Sequence, residues 1–103
     1  MTNEDFTIEM EASFNRSRKV LSKKAKEYAG LTDRLENFKT AGAAQLIPPT
    51  QALVGFAMKH VVAIADMAKH PYDFSDNQWL ERTGDIKNYM ILLEALLTDL
   101  KIN

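Results

Sequence analysis

Residues 51–70 read QALVGFAMKHVVAIADMAKH, an unbroken apolar run with no proline and a single glycine, Gly55. The run predicts a helix, with Thr50 before it as an N-cap whose hydroxyl can accept an orphan amide. Leu53, Val54, Phe56, Met58, Val61, Val62, Ile64 and Met67 spread around almost the whole wheel, which predicts a helix buried on all sides. Lys59 and Asp66 break the pattern. They are seven residues apart, so they project from one face, about 10 Å apart along the axis. Gly55, Val62 and Ala63 leave room beside them. Charges on a buried helix must be paired or must bind something, because a lone ion there costs several kcal/mol.

The flanking sequence predicts three more helices. Phe6, Met10, Phe14, Leu21, Ala25 and Tyr28 recur at helical spacing and place a first helix over 5–28. Six basic residues and no acidic one fall between Arg16 and Lys26, mostly opposite that stripe; Lys24 lies on it, one turn before Tyr28. Ala29-Gly30 closes the helix. A shorter helix covers 33–45, with Thr32 or Asp33 as cap, Glu36 completing a capping pair with Asp33, and Leu35 and Phe38 as contacts. Gly42 among alanines makes it marginal or closely packed. Ile47-Pro48-Pro49 is an extended connector. After Pro71-Tyr72-Asp73-Phe74, Ser75 and Gln78 form a capping box that opens a helix over 76–101. Its main stripe is Trp79, Ile86, Met90, Leu93, Leu97 and Leu100, widened by Tyr89, Leu92 and Leu96. Nothing reads as a strand. The expected fold is all-α, a single domain over 1–103: a small four-helix bundle with one short helix, completed by oligomerisation because so few helices give limited cover to an all-apolar one.

Bulk properties narrow the class. Of 103 residues, 46% are apolar and 26% charged, with a net charge of -1, as in an ordinary globular domain. The neutral total and a basic run without interleaved aromatics argue against nucleic acid as partner. No cysteine is present, which excludes a disulfide framework and a thiolate metal site and points to a reducing cytoplasm. The N-terminal stretch is acidic and lacks the apolar segment of a secretory signal. Lys59, His60 and Asp66 make residues 52–68 too polar to span a bilayer.

The chemistry-bearing residues sit where core is expected. On the last helix Glu81, Asp85 and Asn88 share a face that Leu92 and Leu96 continue. In an antiparallel hairpin Asp66 approaches Glu81 and Asp85, so three carboxylates and an amide oxygen form a hard-oxygen site suited to Mg²⁺. Lys24 and Lys59 would supply point charges for phosphate, and Tyr28 a face for a base. The simpler reading is an internal salt-bridge network, Lys59 with Asp85 and Lys24 with Asp66, because structural ion pairs outnumber sites. Neither His60 nor His70 is assigned a chemical role.

Four motifs bear a resemblance: Lys24-Ala-Lys-Glu27-Tyr28-Ala, Asp33-Arg34-Leu-Glu-Asn37-Phe38, the apolar helix with Lys59, and Gly84-Asp85-Ile-Lys-Asn88-Tyr89. Across residues 15–97 the chain resembles small phage and prophage proteins of the nucleotide-modification-associated kind, which are similar to the all-α, MazG-like NTP pyrophosphatases. The resemblance implies an oligomeric bundle, in a bacterial cytoplasm, that uses Mg²⁺ to split a nucleoside triphosphate between its α- and β-phosphates. It implies Asp66, Glu81, Asp85 and Asn88 as metal ligands, with Glu81 and Asp85 catalytic. Lys24, Arg34 and Lys59 would meet phosphates, and Tyr28 and Asn37 base or sugar. The chain departs from that superfamily in having only Asp66 where a Glu-x-x-Glu pair is usual, and Asp85-x-x-Asn88 for the second acidic pair. The alternative is a non-catalytic helical interaction protein, a phage accessory or anti-defence factor that acts on a host protein through the basic run or an apolar helix face.

Overall fold

The computed structural model describes residues 1–27 and 33–101. Among them are four α-helices, one 3₁₀ turn and no strand: α1 Asn3–Glu27, α2 Glu36–Gln45, α3 Pro49–Met67, the 3₁₀ turn Pro71–Asp73 and α4 Asp76–Leu100. The fold class is all-α, as the periodicities require. No described helix is long and apolar enough to cross a membrane. The chain falls into two compact units, Met1–Thr32 and Asp33–Asn103.

The first unit is one helix. Thr2 caps α1 by accepting the Asp5 amide at 3.0 Å, and Glu4 and Asp5 in the first turn complement the positive end of the macrodipole. Arg16 pairs with Glu9 at 2.9 Å along the surface. Phe6 and Phe14, expected on an inward stripe, are exposed. Tyr28 and the Ala29-Gly30 terminus lie outside the described residues.

The second unit is built on α3. Its N-terminus is made by proline rather than by Thr50: Pro48 is the N-cap, Pro49 occupies the first turn, and Thr50 lies inside the helix. Proline suits that turn because its missing N–H would have had no intrahelical partner. One stripe of α3 is buried, namely Leu53, Ala57, His60 and Met67. Val54, Met58, Val61 and Val62 are exposed instead, so the helix is apolar all round but buried on one side only.

Helix α2 packs on α3 through a tight return. The Ile47 amide donates to the Gly42 carbonyl at 2.9 Å, and a Cβ at Gly42 would stand 2.8 Å from the Ile47 carbonyl oxygen. Gly42 is therefore present for close packing, not as a weak point. Leu46 ends α2 in the left-handed region, φ 58° and ψ 39°, with its side chain exposed. A side chain there costs about 1 kcal/mol that glycine avoids. Leu46→Gly is expected to raise stability by roughly 0.5–1 kcal/mol; a fall in the urea midpoint would show that the Leu46 side chain makes a stabilising contact instead.

The start of α2 differs from the expected capping pair. Asp33 Oδ1 accepts the Leu35 amide at 2.9 Å, the Glu36 amide donates to the Asp33 backbone carbonyl at 3.3 Å, and the Glu36 carboxylate accepts from the Thr40 hydroxyl at 3.3 Å. The second Asp33 oxygen takes Lys39 at 2.5 Å, and Lys39 also reaches Asp99 on α4 at 2.6 Å. The hydrogen bond from Lys39 holds the Asp33 carboxyl below its ordinary 3.8, and the two carboxylates hold the Lys39 ammonium above its ordinary 10.5. The sign follows from linkage. A depressed carboxyl stabilises the fold above its unfolded pKa and stops doing so as pH falls through the folded value; a raised ammonium stabilises below its unfolded pKa and fails at high alkalinity. The Tm difference between wild type and Lys39→Met should thus be largest near neutrality and shrink below about pH 4. A difference unchanged at pH 3 would show that the ion pairs contribute nothing.

Helix α4 opens with the predicted capping box: Ser75 Oγ accepts the Gln78 amide at 3.2 Å and Gln78 Oε1 accepts the Ser75 amide at 2.8 Å. It runs back against α3. Leu35, Leu53 and Leu96 form the buried core, with Phe38, Tyr89, Leu92, Leu93 and Leu100 packed against it. The inward stripe of α4 is therefore centred on Leu96, while Met90, placed on the main stripe by spacing, is exposed.

Candidate functional site

Polar side chains interrupt the α3–α4 seam at its open end. His60, on the buried stripe of α3, is 8% exposed. Its Nδ1 lies 3.4 Å from Asp85 Oδ2 and 3.4 Å from Arg82 Nη1. One ring nitrogen cannot serve both neighbours. A protonated Nδ1 donates to Asp85, and a bare Nδ1 accepts from Arg82. The Tyr89 ring stands 5.5 Å from the imidazole, tilted by 34°. Burial, and after it the negative charge of Asp85, pushes the Tyr89 phenol above its ordinary value. Asn88 is 9% exposed, and its Oδ1 has no hydrogen-bond partner among the described residues. A buried acceptor that finds no partner costs about 1–3 kcal/mol.

Next to this cluster α3 and α4 diverge around a cavity of about 350 Å³. Ala63, Asp66 and Met67 come from α3, Phe74 from the connection, and Gln78, Glu81 and Arg82 from α4. Its wall is tied together at the connection by three contacts. The Trp79 indole donates to the Pro71 carbonyl at 3.0 Å, Phe74 packs edge-on against Trp79 with centroids 6.4 Å apart, and the capping box engages Gln78 Oε1. Gln78 can therefore offer a ligand its NH₂ donors and the second lone pair of Oε1. Arg82 belongs to both features, lining the cavity and touching His60.

The residues expected to hold metal are divided by this geometry. Asp66 and Glu81 line the cavity, Asp85 turns to His60, and Asn88 is buried. Among the described residues no three His, Cys, Asp or Glu side chains are grouped as metal ligands would be. The expected ion pairs differ as well. Asp85 takes His60, not Lys59; Asp66 pairs loosely with Lys69 at 3.7 Å, both side chains more than 70% exposed, which is worth little. Lys59 is exposed on α3, and Arg34 and Asn37 sit before and in the first turn of α2; none of the three lines the cavity. Lys24 is exposed on α1, in the first unit, and Tyr28 lies outside the described residues.

Sequence reasoning passed over His60 and Arg82. The spacing signal was present: His60 falls on the stripe of Leu53, Ala57 and Met67, and Arg82, Asp85 and Tyr89 follow one another at three and four residues. A histidine on an apolar stripe is usually satisfied core; here the arginine and aspartate opposite it give it polar company.

No family model, curated protein or solved structure matches this chain.

Proposed function

We propose that the α3–α4 cavity binds a nucleoside triphosphate together with Mg²⁺. The observation that carries this reading is that Asp66 and Glu81, from consecutive helices, line one cavity with Arg82 between them and the His60 cluster. Its volume of about 350 Å³ falls within the roughly 300–1,000 Å³ typical of small-molecule sites. The motif likeness to MazG-like proteins points the same way.

The donor set fits Mg²⁺ in one way only. Mg²⁺ is commonly held by one or two carboxylates, the rest of its shell coming from water and substrate phosphates. Asp66 and Glu81 supply two, which suits a shared metal–nucleotide complex but not a protein-only site. Mg²⁺ bound there would neutralise phosphate charge. Arg82 is the cation of the cavity wall and would take a phosphate oxygen by charge-assisted hydrogen bonds. Phe74 and Met67 give the base an apolar floor, and the Gln78 NH₂ meets an acceptor on it. Glu81 is the carboxylate left to orient an attacking water, since Asp85 is engaged with His60.

Titration calorimetry tests the reading with a panel of nucleoside triphosphates. Binding is expected with Mg²⁺ and nucleotide together and not with Mg²⁺ alone. No heat with any triphosphate in either condition ends the proposal. Pyrophosphate release by the wild type that Glu81→Gln abolishes identifies a pyrophosphohydrolase; binding without release identifies a nucleotide-binding protein.

A second reading has its own support. The apolar outer flank of α3 is the surface that an interaction protein, phage accessory or anti-defence factor would use. Failure of nucleotide binding favours it.

A further inference from the structure

His60 is a buried polar side chain to which the nucleotide reading gives no task. It stands on the inward stripe of α3, where a leucine would pack with no polar atom to satisfy. Tyr89 lies against its ring. Helix α4 sets Arg82 and Asp85, three residues apart, against the same ring nitrogen. Nδ1 is 3.4 Å from Arg82 Nη1 and 3.4 Å from Asp85 Oδ2. Both distances exceed the roughly 2.9–3.0 Å of a committed hydrogen bond, so the nitrogen is shared between a donor and an acceptor. The Nδ1 proton decides between them: present, it goes to Asp85; absent, the lone pair takes Arg82.

Arg82 is the side chain whose placement depends on this choice. It lines the cavity while its Nη1 is at His60, so the contact does not draw the guanidinium out of the cavity. A guanidinium carries several N–H donors in a planar fork; one engaged by Nδ1 leaves the others for an anion. Arg82 is otherwise exposed, and a long exposed side chain loses rotamer entropy when a ligand fixes it. An anchor already in place lowers that cost. We propose that His60 is a positioning residue for Arg82: with Nδ1 bare it holds one Nη of the guanidinium beside the cavity, and with Nδ1 protonated it donates to Asp85 and lets Arg82 go. The pairing stands on the geometry of α3 and α4; its effect on phosphate binding rests on the nucleotide reading.

Two measurements on the full chain keep the pairing apart from the nucleotide. Nitrogen-15 NMR of the imidazoles in ligand-free protein reads the pairing; the chain has two histidines, and His70→Asn assigns the His60 signals. Arg82→Met should move the His60 Nδ1 shift toward that of a protonated nitrogen, because only Asp85 then faces it. Asp85→Ala should leave Nδ1 bare or make it more so. An Nδ1 shift unchanged by Arg82→Met, or moved toward the protonated value by Asp85→Ala, overturns the proposal. Calorimetry with Mg²⁺ and the tightest-binding nucleoside triphosphate reads the positioning, in variants whose thermal transitions show them folded. His60→Leu should weaken binding roughly threefold to tenfold, and should have no effect in an Arg82→Met background. His60→Asn, whose amide oxygen stands about where Nδ1 does and can accept from Arg82, should recover most of the loss. Equal losses in the two backgrounds would make His60 a packing residue only and overturn the proposal. If no triphosphate binds, the nucleotide reading fails, and the ring shifts alone decide for or against the His60–Arg82 pairing.

Discussion

Leu96→Ala is expected to lower the unfolding free energy by about 3 kcal/mol, within the 2–5 kcal/mol range for leucine truncation in a packed core. Leu96 is fully buried, as is Leu53 opposite it, and with Leu35 they tie the approach to α2, α3 and α4 together. Most of the loss comes from the cavity left behind, which the surrounding Tyr89, Leu92, Leu93 and Leu100 can only partly fill. A domain of this size has about 5–15 kcal/mol in total, so the variant should be visibly destabilised in urea. Ile91→Ala on the exposed side of the same helix is the comparison and should stay within about 0.5 kcal/mol. A Leu96→Ala loss below about 1 kcal/mol would mean that these helices are not held by this cluster.

Under the proposed nucleotide reading, Arg82→Met is the substitution with the largest expected effect on ligand binding. Arg82 is the positive side chain of a cavity that also carries Asp66 and Glu81, and it is the donor facing His60 Nδ1. Hydrogen bonds to a charged partner are worth about 1.5–3 kcal/mol, so Mg²⁺–nucleotide affinity should fall roughly ten- to hundredfold. Arg82→Lys keeps the charge but not the fork, and should recover part of the affinity. Calorimetry reads the affinity and the thermal transition reports whether the variant folds. Equal affinity for wild type and Arg82→Met would remove this cavity as the proposed nucleotide site.

Local rules wrote much of this fold into the sequence. The capping box at Ser75 and Gln78, the break at Pro71 and the closeness of Gly42 follow from side-chain chemistry within a few residues. Other local readings lost to stronger neighbours. Two prolines displaced Thr50 as the cap of α3, and the Asp33 carboxylate went to the Leu35 amide and to Lys39, which Asp99 some sixty residues on also holds. Of the candidate site, the face shared by Glu81, Asp85 and Asn88 was legible as polar residues in core register. Which carboxylate meets which partner was not.

Periodicity alone determined that the chain is helical, where its helices begin and end to within a few residues, and that α3 carries charge within an apolar run. Only the packed structure decided which side of α3 is buried, since a helix apolar all round has no preferred face until α2 and α4 choose one. The same choice brought His60 against Arg82 and Asp85, left Asp66 and Glu81 on a shared cavity, and turned Val62 outward. Such pairings depend on helix rotation, and a turn of one residue, 100° on the wheel, exchanges every partner.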